Sequence, residues 1–363
     1  MRPIALILIL LALIAGTPVA AQPDYSAQLS EADVVLRDFR FASGEALPEL
    51  RLHYATLGTP RRDRSGRIVN AVMILHGTGG SGRQFLQPQF AGELFGPGQP
   101  LDLARYYVIL PDNIGHGRSS KPSDGLRMRF PAYDYDDMVE AQRRLLAELG
   151  VGRLRLLMGT SMGCMHAFVW AEAHPDFADA MMPLACLPAP IAGHNRMWRH
   201  AAVQAIRADP AWHGGDYRDQ PLQGLRTAVT ILQIAGFAPL YLQRAYPDRA
   251  AAEAYIDERI ARDLPSRDAN DLIYQLEASR NYDPAPNLER IRVPGTWVNS
   301  ADDFINPAGY GIAEAAAARM PGVRYVLIPA TAETRGHSTH TWARFWKQEL
   351  MDLLERTEGP PVR

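Results

Sequence analysis

Hydrophobic and polar residues alternate in two stretches near the start of the chain. Val34 to Phe41 and Leu50 to Leu57 repeat with a period of two, and Gly44 and Pro48 lie between them. This period is typical of half-buried strands, and glycine and proline favour turns. The pattern predicts an antiparallel pair of strands at the edge of a sheet.

Short, wholly apolar runs follow, as expected of strands that are buried on both faces of a parallel sheet. Helical spacing separates some of them, and one helix is predicted from Asp136 to Leu149, before Gly150. The runs are Ala71–Leu75, Tyr107–Leu110, Leu154–Met158, Met181–Leu184, Gly295–Asn299 and Arg324–Ile328. Their alternation with helices predicts an α/β fold, with a mostly parallel sheet and helices on both faces.

One long segment interrupts this alternation. Residues 187–290 show helical spacing and prolines without a series of strands, and a terminal helix is predicted from His340 to Glu355. An insertion of about 100 residues in a compact domain is usually functional, as in an active-site lid. We therefore expect a core formed by residues 22–186 and 291–363, with a helical lid insertion at residues 187–290.

The first 21 residues are predicted to be a signal peptide. Arg2 precedes an apolar run of twelve residues, Ile4 to Ala15, and the small residues Val19-Ala20-Ala21 precede Gln22. A membrane-spanning helix needs about 20 residues, which favours a cleaved signal over an uncleaved anchor. We expect a periplasmic or secreted protein with no stable membrane insertion after cleavage.

Composition narrows the range of partners. The chain has 363 residues and a formal net charge of −2, without the basic excess of a nucleic-acid-binding protein. Its two cysteines, Cys164 and Cys186, are too few for a disulfide scaffold or a thiolate metal site. Export permits a disulfide, but we expect both cysteines to be buried and reduced, because free cysteine is commonly a small core residue.

The strongest chemical signal is the sequence Gly159-Thr160-Ser161-Met162-Gly163. It follows an apolar strand and precedes a helical run, Cys164 to His174, which is the strand–turn–helix context that a G-x-S-x-G nucleophile requires. The helix N-terminus favours the negative charge that develops during attack. We predict Ser161 as the nucleophile.

A serine nucleophile needs a base and an acid to orient it, in the chain order Ser, Asp or Glu, His. Asp302 and Asp303 follow one late strand, and His337 and His340 follow the last one. We prefer Asp303, because it begins the pattern D-x-apolar-x-P, and leave Asp302 as a turn or capping residue. His337 is preferred as the base because it follows a glycine and lies nearer the strand than His340 does. His340 would then be an N-terminal residue of the last helix.

The loop His76-Gly77-Thr78-Gly79-Gly80 is predicted to supply an oxyanion hole. Its glycines let backbone N–H groups turn toward a carbonyl oxygen, and the residue after the nucleophile supplies the second donor. We name the N–H of Thr78, or alternatively Gly77, together with that of Met162. A phosphate-binding loop is excluded because no Gly-Lys-Ser/Thr follows. His116 precedes the nucleophile and is expected to be structural, and no metal or cofactor is expected.

These motifs together resemble the α/β-hydrolase superfamily, and within it the homoserine O-acetyltransferase-like group. The resemblance to the group is carried by residues 130–150, before the nucleophile, and by residues 205–217. In that group the serine is acetylated from acetyl-CoA and homoserine takes the acetyl group. This chain differs where the group tends to carry two arginines, at Val203 and in the helix after Gly224-Leu225. Arg226 or Arg199 could compensate.

The residues and the resemblance predict a serine hydrolase that cleaves an ester or related acyl substrate through an acyl-enzyme on Ser161. The alternative is an acyltransferase that uses the same three residues and an alcohol acceptor. A non-catalytic binding protein on the same fold is the third hypothesis. The partner is expected to be a small-molecule acyl substrate, bound in a cleft lined by aromatic residues of the helical segment, namely Trp198, Trp212, Phe237, Tyr241, Tyr246 and Tyr255.

Overall fold

A single eight-stranded sheet forms the centre of the molecule. The computed structural model describes residues 24–358, so the predicted signal peptide lies outside the described residues. The strands are β1 (Ser30–Arg40), β2 (Ala46–Leu57), β3 (Ala71–Leu75), β4 (Tyr107–Pro111), β5 (Leu156–Thr160), β6 (Met181–Leu184), β7 (Gly295–Ser300) and β8 (Val323–Ile328). Their order is β1-β2-β4-β3-β5-β6-β7-β8. The pairs β1–β2 and β2–β4 are antiparallel and the other neighbours are parallel, which confirms the predicted sheet and its edge pair.

Ten helices accompany the sheet in the described part of the chain. They are α1 (Pro88–Leu94), α2 (Tyr135–Glu148), α3 (Met162–Ala173), α4 (Gly193–Ala208), α5 (Leu222–Ala235), α6 (Pro239–Ala245), α7 (Arg249–Asp263), α8 (Ala269–Glu277), α9 (Ile312–Ala317) and α10 (Lys347–Arg356). Within residues 24–358 no single helix is long and apolar enough to cross a membrane. Taken together, α5 and α6 are long and apolar enough for a membrane span, but the chain bends by 99° between them.

Helices cover both faces of the sheet, and the central strand β3 is apolar at every position. Along β3, Ala71, Met73 and Leu75 belong to a core shared with α2 and α3. The intervening Val72 and Ile74 belong to a second core, shared with α1 and α10. Side chains of a strand alternate between faces, so an unbroken apolar run is what a strand between two helical layers requires.

Five helices, α4 to α8, lie between β6 and β7 and have a small core of their own. Val203 and Ile206 of α4 pack there with Leu225 and Val229 of α5 and Leu272 of α8. This segment is tied to the loop after β4 by Asp271, whose carboxylate accepts bonds from the N–H and hydroxyl of Ser123 at 2.8 and 2.7 Å.

Two expectations from the sequence are wrong. Cys164 and Cys186 are buried, as expected, but they form a disulfide, because the start of α3 and the end of β6 bring their Cα atoms within 5.8 Å. The last helix begins at Lys347, not His340. The chain before it forms tight 3₁₀ turns, in which the Thr339 hydroxyl accepts a bond from the N–H of Arg335 at 2.8 Å.

Candidate active site

Ser161 lies on a sharp turn between β5 and α3, with φ 54° and ψ −112°. A positive φ is disfavoured for residues other than glycine and persists only where the surroundings impose it. Here two glycines allow the close packing. A Cβ on Gly159 would lie 2.0 Å from the carbonyl oxygen of Gly163, and one on Gly163 would lie 2.1 Å from that of Leu75. The G-x-S-x-G pattern is therefore a steric requirement of this turn.

The structure brings the three residues named from the sequence into one hydrogen-bonded chain. His337 Nε2 lies 2.8 Å from Ser161 Oγ, and His337 Nδ1 lies 2.8 Å from Asp303 Oδ2. A carboxylate can only accept, so Nδ1 carries the proton and Nε2 is free to accept the serine proton. This is the tautomer that a general base for Ser161 needs.

Asp303 is fully enclosed yet ionised. Burial alone would raise the pKa of its carboxyl, but the charge and hydrogen bond of His337 and the bonds from Asn306 outweigh burial and lower it. Its Oδ1 accepts the N–H groups of Ile305 and Asn306 at 2.8 and 3.1 Å, and its Oδ2 accepts the Asn306 amide at 3.0 Å. Together with the imidazole N–H, these donors fix the carboxylate in one orientation.

Asp302 has a different set of contacts. Its Oδ2 accepts the Thr334 hydroxyl at 2.7 Å and the N–H of Gly336 at 3.1 Å, and its Oδ1 accepts the Ser300 hydroxyl. It therefore links the loop after β7 to the loop that carries His337. Of the two aspartates, Asp303 contacts the imidazole and Asp302 holds the two loops together.

His340 lies beside the imidazole without reaching the serine. Its Nδ1 is 2.7 Å from the carbonyl oxygen of His337, and it lies in a 3₁₀ turn and not at the start of a helix. Burial lowers the pKa of His340 to about 3, with a further contribution from the neighbouring His337. A neutral ring that binds a backbone carbonyl is suited to holding the turn.

Thr78 and Met162, the residues predicted to supply the oxyanion donors, both lie near Ser161. Met162 begins α3, where the first N–H groups have no partner within the helix. Thr78 lines the same cavity as Ser161. A Cβ on Gly77 would lie 3.2 Å from the Cβ of Ser161, so the loop passes close to the nucleophile. Of the two loop residues considered as donors, Thr78 lines the cavity and Gly77 does not.

A buried polar network supports this loop from behind. His76 Nδ1 bonds the carbonyl of Gly77 at 2.8 Å, and its Nε2 accepts the N–H of Asn113 at 3.0 Å. Burial lowers the pKa of His76, which keeps the ring neutral in this tautomer. His116 is also buried and neutral, because burial lowers its pKa, and its Nδ1 bonds the carbonyl of Ile114 at 2.9 Å. Neither ring contacts Ser161, in keeping with the structural role predicted for His116.

Ser161 and His337 open into a cavity of about 550 Å³ between the sheet and the helical segment. Four of the six aromatic residues predicted to line a cleft do so, namely Trp198, Phe237, Tyr241 and Tyr255. Trp212 instead bonds Asn270 through its indole N–H at 2.9 Å. Tyr246 stacks on Tyr255, with ring centroids 4.2 Å apart, and does not line this cavity.

The helical segment also contacts the catalytic loops directly. Arg267, which the sequence did not single out, donates to the carbonyl of Gly79 at 2.6 Å. A Cβ on Gly336 would lie 2.7 Å from the carbonyl oxygen of Phe237, so these two backbones touch. Arg335 stacks on Tyr241, with its guanidinium carbon 3.6 Å from the ring centroid. Within residues 24–358 no group of three or more His, Cys, Asp or Glu side chains is arranged to hold a metal ion.

Comparison with known proteins identifies the family. The family model described as "alpha/beta hydrolase fold" matches residues 70–334. The chain belongs to the α/β-hydrolase family.

Individual relatives narrow the position within the family. The homoserine O-acetyltransferase of Thermobifida fusca is 30% identical over 302 residues, which cover 73% of this chain and 78% of the relative. Among solved structures, the homoserine O-acetyltransferase from Bacillus anthracis superposes with a TM-score of 0.79 at 22% identity, over 90% of this chain and 98% of that one. Esterase E22 gives a TM-score of 0.78 at 19% identity, over 90% and 100%. The resemblance drawn from the sequence is confirmed.

Proposed function

We propose that the protein transfers an acyl group from an ester or thioester through an acyl-enzyme on Ser161. The observation that carries the proposal is the chain of two 2.8 Å hydrogen bonds from Ser161 through His337 to Asp303. Nucleophile, base and orienting acid are within bonding distance of one another, in the tautomer that the reaction needs. The serine faces a cavity large enough for a small substrate.

In the first half-reaction Ser161 Oγ attacks the substrate carbonyl carbon while its proton moves to His337 Nε2. Asp303, kept ionised, stabilises the imidazolium that forms. The carbonyl oxygen becomes an oxyanion that accepts from the N–H groups of Thr78 and Met162, and one such donor contributes about 10²–10³ in rate. The imidazolium then returns its proton to the leaving group, and the acyl-enzyme remains.

In the second half-reaction an acceptor hydroxyl loses its proton to His337 Nε2 and attacks the carbonyl carbon of the acyl-enzyme. The bond between that carbon and Ser161 Oγ then breaks, and the imidazolium returns its proton to Ser161 Oγ as the new ester leaves. The curated relatives favour an alcohol acceptor, since the match to the Thermobifida fusca homoserine O-acetyltransferase extends over 73% of this chain. This places acyl transfer ahead of the hydrolysis that the sequence alone suggested first.

Hydrolysis is the second candidate, and the side chains of two helices favour it. Val203 stands where the transferase group tends to carry an arginine, and it is buried in the apolar core of α4, α5 and α8. The group tends to carry a second arginine in the helix after Gly224-Leu225, and here no arginine of α5 lines the cavity. Arg226 is exposed and does not line the cavity, so among the two arginines considered as replacements only Arg199 reaches it. Recognition of the acceptor therefore differs from the pattern of that group.

We also propose that residues 187–290 act as a lid. This proposal rests on the contacts of Arg267 and Phe237 with the two catalytic loops.

We propose further that residues 1–21 direct the protein to the periplasm or outside the cell. The buried disulfide between Cys164 and Cys186 supports export, because disulfides persist mainly in oxidising compartments.

The test uses the protein from Gln22 onward and its Ser161→Ala variant. Release of p-nitrophenol from p-nitrophenyl acetate and butyrate is followed with and without homoserine, and a fluorophosphonate probe reports labelling of the serine by mass spectrometry. A burst that homoserine converts to turnover, with O-acyl homoserine as product, supports transfer. Steady turnover that needs Ser161 and ignores homoserine supports hydrolysis. No labelling and no turnover above Ser161→Ala would reject the acyl-enzyme.

A further inference from the structure

An apolar groove lies beside the cavity of Ser161, between the helices α5, α6 and α7 and the loop after β7. Its volume is about 590 Å³, and every described residue that lines it is apolar or aromatic except Gln243. None of these lining residues is charged. A concave surface of this composition suits a hydrocarbon and offers little to a polar group.

The groove and the cavity share a wall. Phe237, Leu242 and Tyr255 line both spaces. Tyr255 is held in this wall by stacking on Tyr246, with ring centroids 4.2 Å apart, and by a hydrogen bond from Arg259 to its hydroxyl at 3.2 Å. All three wall residues are half-buried, so a flexible chain that leaves the cavity over them enters the groove.

Phe304 extends the groove to the loop of the catalytic acid. It directly follows Asp303, and its side chain lines the groove while that of the next residue, Ile305, lines the cavity. Phe304 is fixed by α4, because its ring packs against the ring of His194 at 5.2 Å and its carbonyl oxygen lies 2.6 Å from His194 Nε2. Phe304 and Ile234 are 52% and 54% exposed. A patch of large apolar side chains held open to solvent is typical of a surface that a ligand covers.

The groove lies on the imidazole side of the nucleophile. Phe304 belongs to the loop that carries the acid, and the backbone of Phe237 touches that of Gly336, which precedes His337. No residue of the oxyanion loop, 76–80, belongs to the described lining of the groove. The imidazolium gives its proton to the leaving alcohol, so the alcohol part of an ester must lie beside the imidazole. The part of the substrate that the groove can receive is therefore the alcohol and not the acyl group.

We propose that this groove binds the hydrocarbon chain of an alcohol, so that the protein acts on esters of alkyl alcohols. This rests on the acyl-enzyme function proposed above. Ser161 attacks the ester carbonyl, and the bond between the carbonyl carbon and the alkoxy oxygen breaks. The alcohol leaves with the proton from His337 Nε2, and its chain lies in the groove. An alkyl alcohol that acts as acceptor enters by the same surface.

The experiment varies the chain length on each side of the ester bond. Ethyl, butyl, hexyl and octyl acetate extend the alcohol, and p-nitrophenyl esters from acetate to octanoate extend the acyl group, each used below its solubility limit. Complete burial of one methylene group is worth about 4-fold in affinity, and in this open groove we expect about 2–4-fold. Three methylenes in the groove should then raise kcat/KM for octyl acetate at least about 10-fold above that for ethyl acetate. The acyl series should show no rise. A rise along the acyl series alone, or along neither, would overturn the proposal.

Filling the groove provides the matching variant. Ala252 is exposed on α7 and lines the groove but not the cavity. Ala252→Trp should lower the octyl-to-ethyl ratio by about 10-fold and change kcat/KM for ethyl acetate by less than about 2-fold. Ala254→Trp is the control, since Ala254 is exposed on the same helix and lines neither space. Equal effects of the two variants on the ratio would contradict the role of the groove.

A second copy of the chain and a lipid surface are the other occupants that an apolar groove can take. Sedimentation velocity tests the first: a dimer that Ala252→Trp dissociates, with an unchanged octyl-to-ethyl ratio, would make the groove an interface between copies. Co-sedimentation with phosphatidylcholine vesicles tests the second: binding that Ala252→Trp abolishes, again with an unchanged ratio, would make it a lipid-binding face. Either result overturns the proposal.

A binding measurement separates the groove from the catalytic proposal. Calorimetry with Ser161→Ala should show that N-octylacetamide binds at least about 10-fold more tightly than N-ethylacetamide. Adding Ala252→Trp should remove that difference, and adding Ala254→Trp should preserve it. Equal binding of the two amides would refute the alkyl groove even if an acyl-enzyme forms. Tighter binding of the octyl amide without turnover of any ester would support the groove and reject the acyl-enzyme function.

Discussion

Replacing Asp303 by asparagine tests the catalytic geometry most sharply, because the surrounding donors dictate how the new amide must sit. The N–H groups of Ile305 and Asn306 point at Oδ1 of the native carboxylate, at 2.8 and 3.1 Å. In the Asp303→Asn variant the side-chain amide oxygen would have to accept them, because backbone N–H groups cannot turn over, whereas the Asn306 side-chain amide that bonds Oδ2 can rotate away. This orientation turns the new NH₂ toward His337 Nδ1. The imidazole would then accept at Nδ1 and hold its proton on Nε2, where it can no longer take the proton of Ser161.

The expected loss follows from that exchange of tautomers. An asparagine in the place of the orienting aspartate lowers kcat by about 10⁴-fold in enzymes with this arrangement, which corresponds to about 5.4 kcal/mol. The assay is p-nitrophenyl acetate turnover at saturating substrate, with KM measured alongside. KM should change little, because Asp303 is enclosed behind the imidazole and does not line the cavity.

Asp302→Asn is the matched control. It changes the same chemical group one residue earlier, at a carboxylate that accepts from Thr334 and Gly336 and does not reach the imidazole. We expect kcat to fall less than about 10-fold and the free energy of unfolding to fall by about 1–2 kcal/mol. If Asp302→Asn lost as much activity as Asp303→Asn, or more, the assignment of the acid would be refuted.

Two further predictions concern stability. Removing the disulfide by Cys164→Ala with Cys186→Ala should lower the free energy of unfolding by about 2–4 kcal/mol, measured by urea unfolding; a midpoint equal to that of the oxidised wild type would contradict it. His166, whose pKa burial lowers to about 3, stays neutral in the folded protein while the unfolded chain takes up a proton below its usual pKa of about 6.5. The free energy of unfolding should therefore fall as the pH drops from about 6.5 toward 3. This one residue contributes up to about 1.4 kcal/mol per pH unit to that slope, and His166→Gln should reduce the slope. An unchanged slope between about pH 7 and 5 would show that this ring does not cause it.

The sequence predicts those parts of the fold whose local pattern and tertiary role coincide. Met181–Leu184 is a strand with the predicted bounds. A short apolar run between loop residues is too short for a helix and can be buried as a central strand of a sheet. Ser161, Asp303 and His337 each follow a strand, and the ends of parallel strands meet at one edge. Their positions directly after strands, together with the motifs around them, therefore predicted that these three residues lie together.

Contacts across separate elements were not predictable in the same way. Helical spacing does not reveal that Trp198 enters the cavity while Trp212 bonds Asn270 outside its lining. Nor does it reveal that Arg267 reaches back to the loop of Gly79. The pairing of the two cysteines depends on the distance between α3 and β6, which no local pattern encodes.

The close approach of Phe237 to Gly336 has a consequence for how the protein can be re-engineered. Helical segments of hydrolases are attractive units for exchange, because they hold much of the pocket and leave the sheet untouched. At the two catalytic loops of this chain, the segment meets the core backbone against backbone at Gly336 and guanidinium against carbonyl at Gly79. A foreign segment in a chimera would need residues that fit both the loop of Gly79 and the loop of Gly336. The segment and the two loops are therefore better transplanted together.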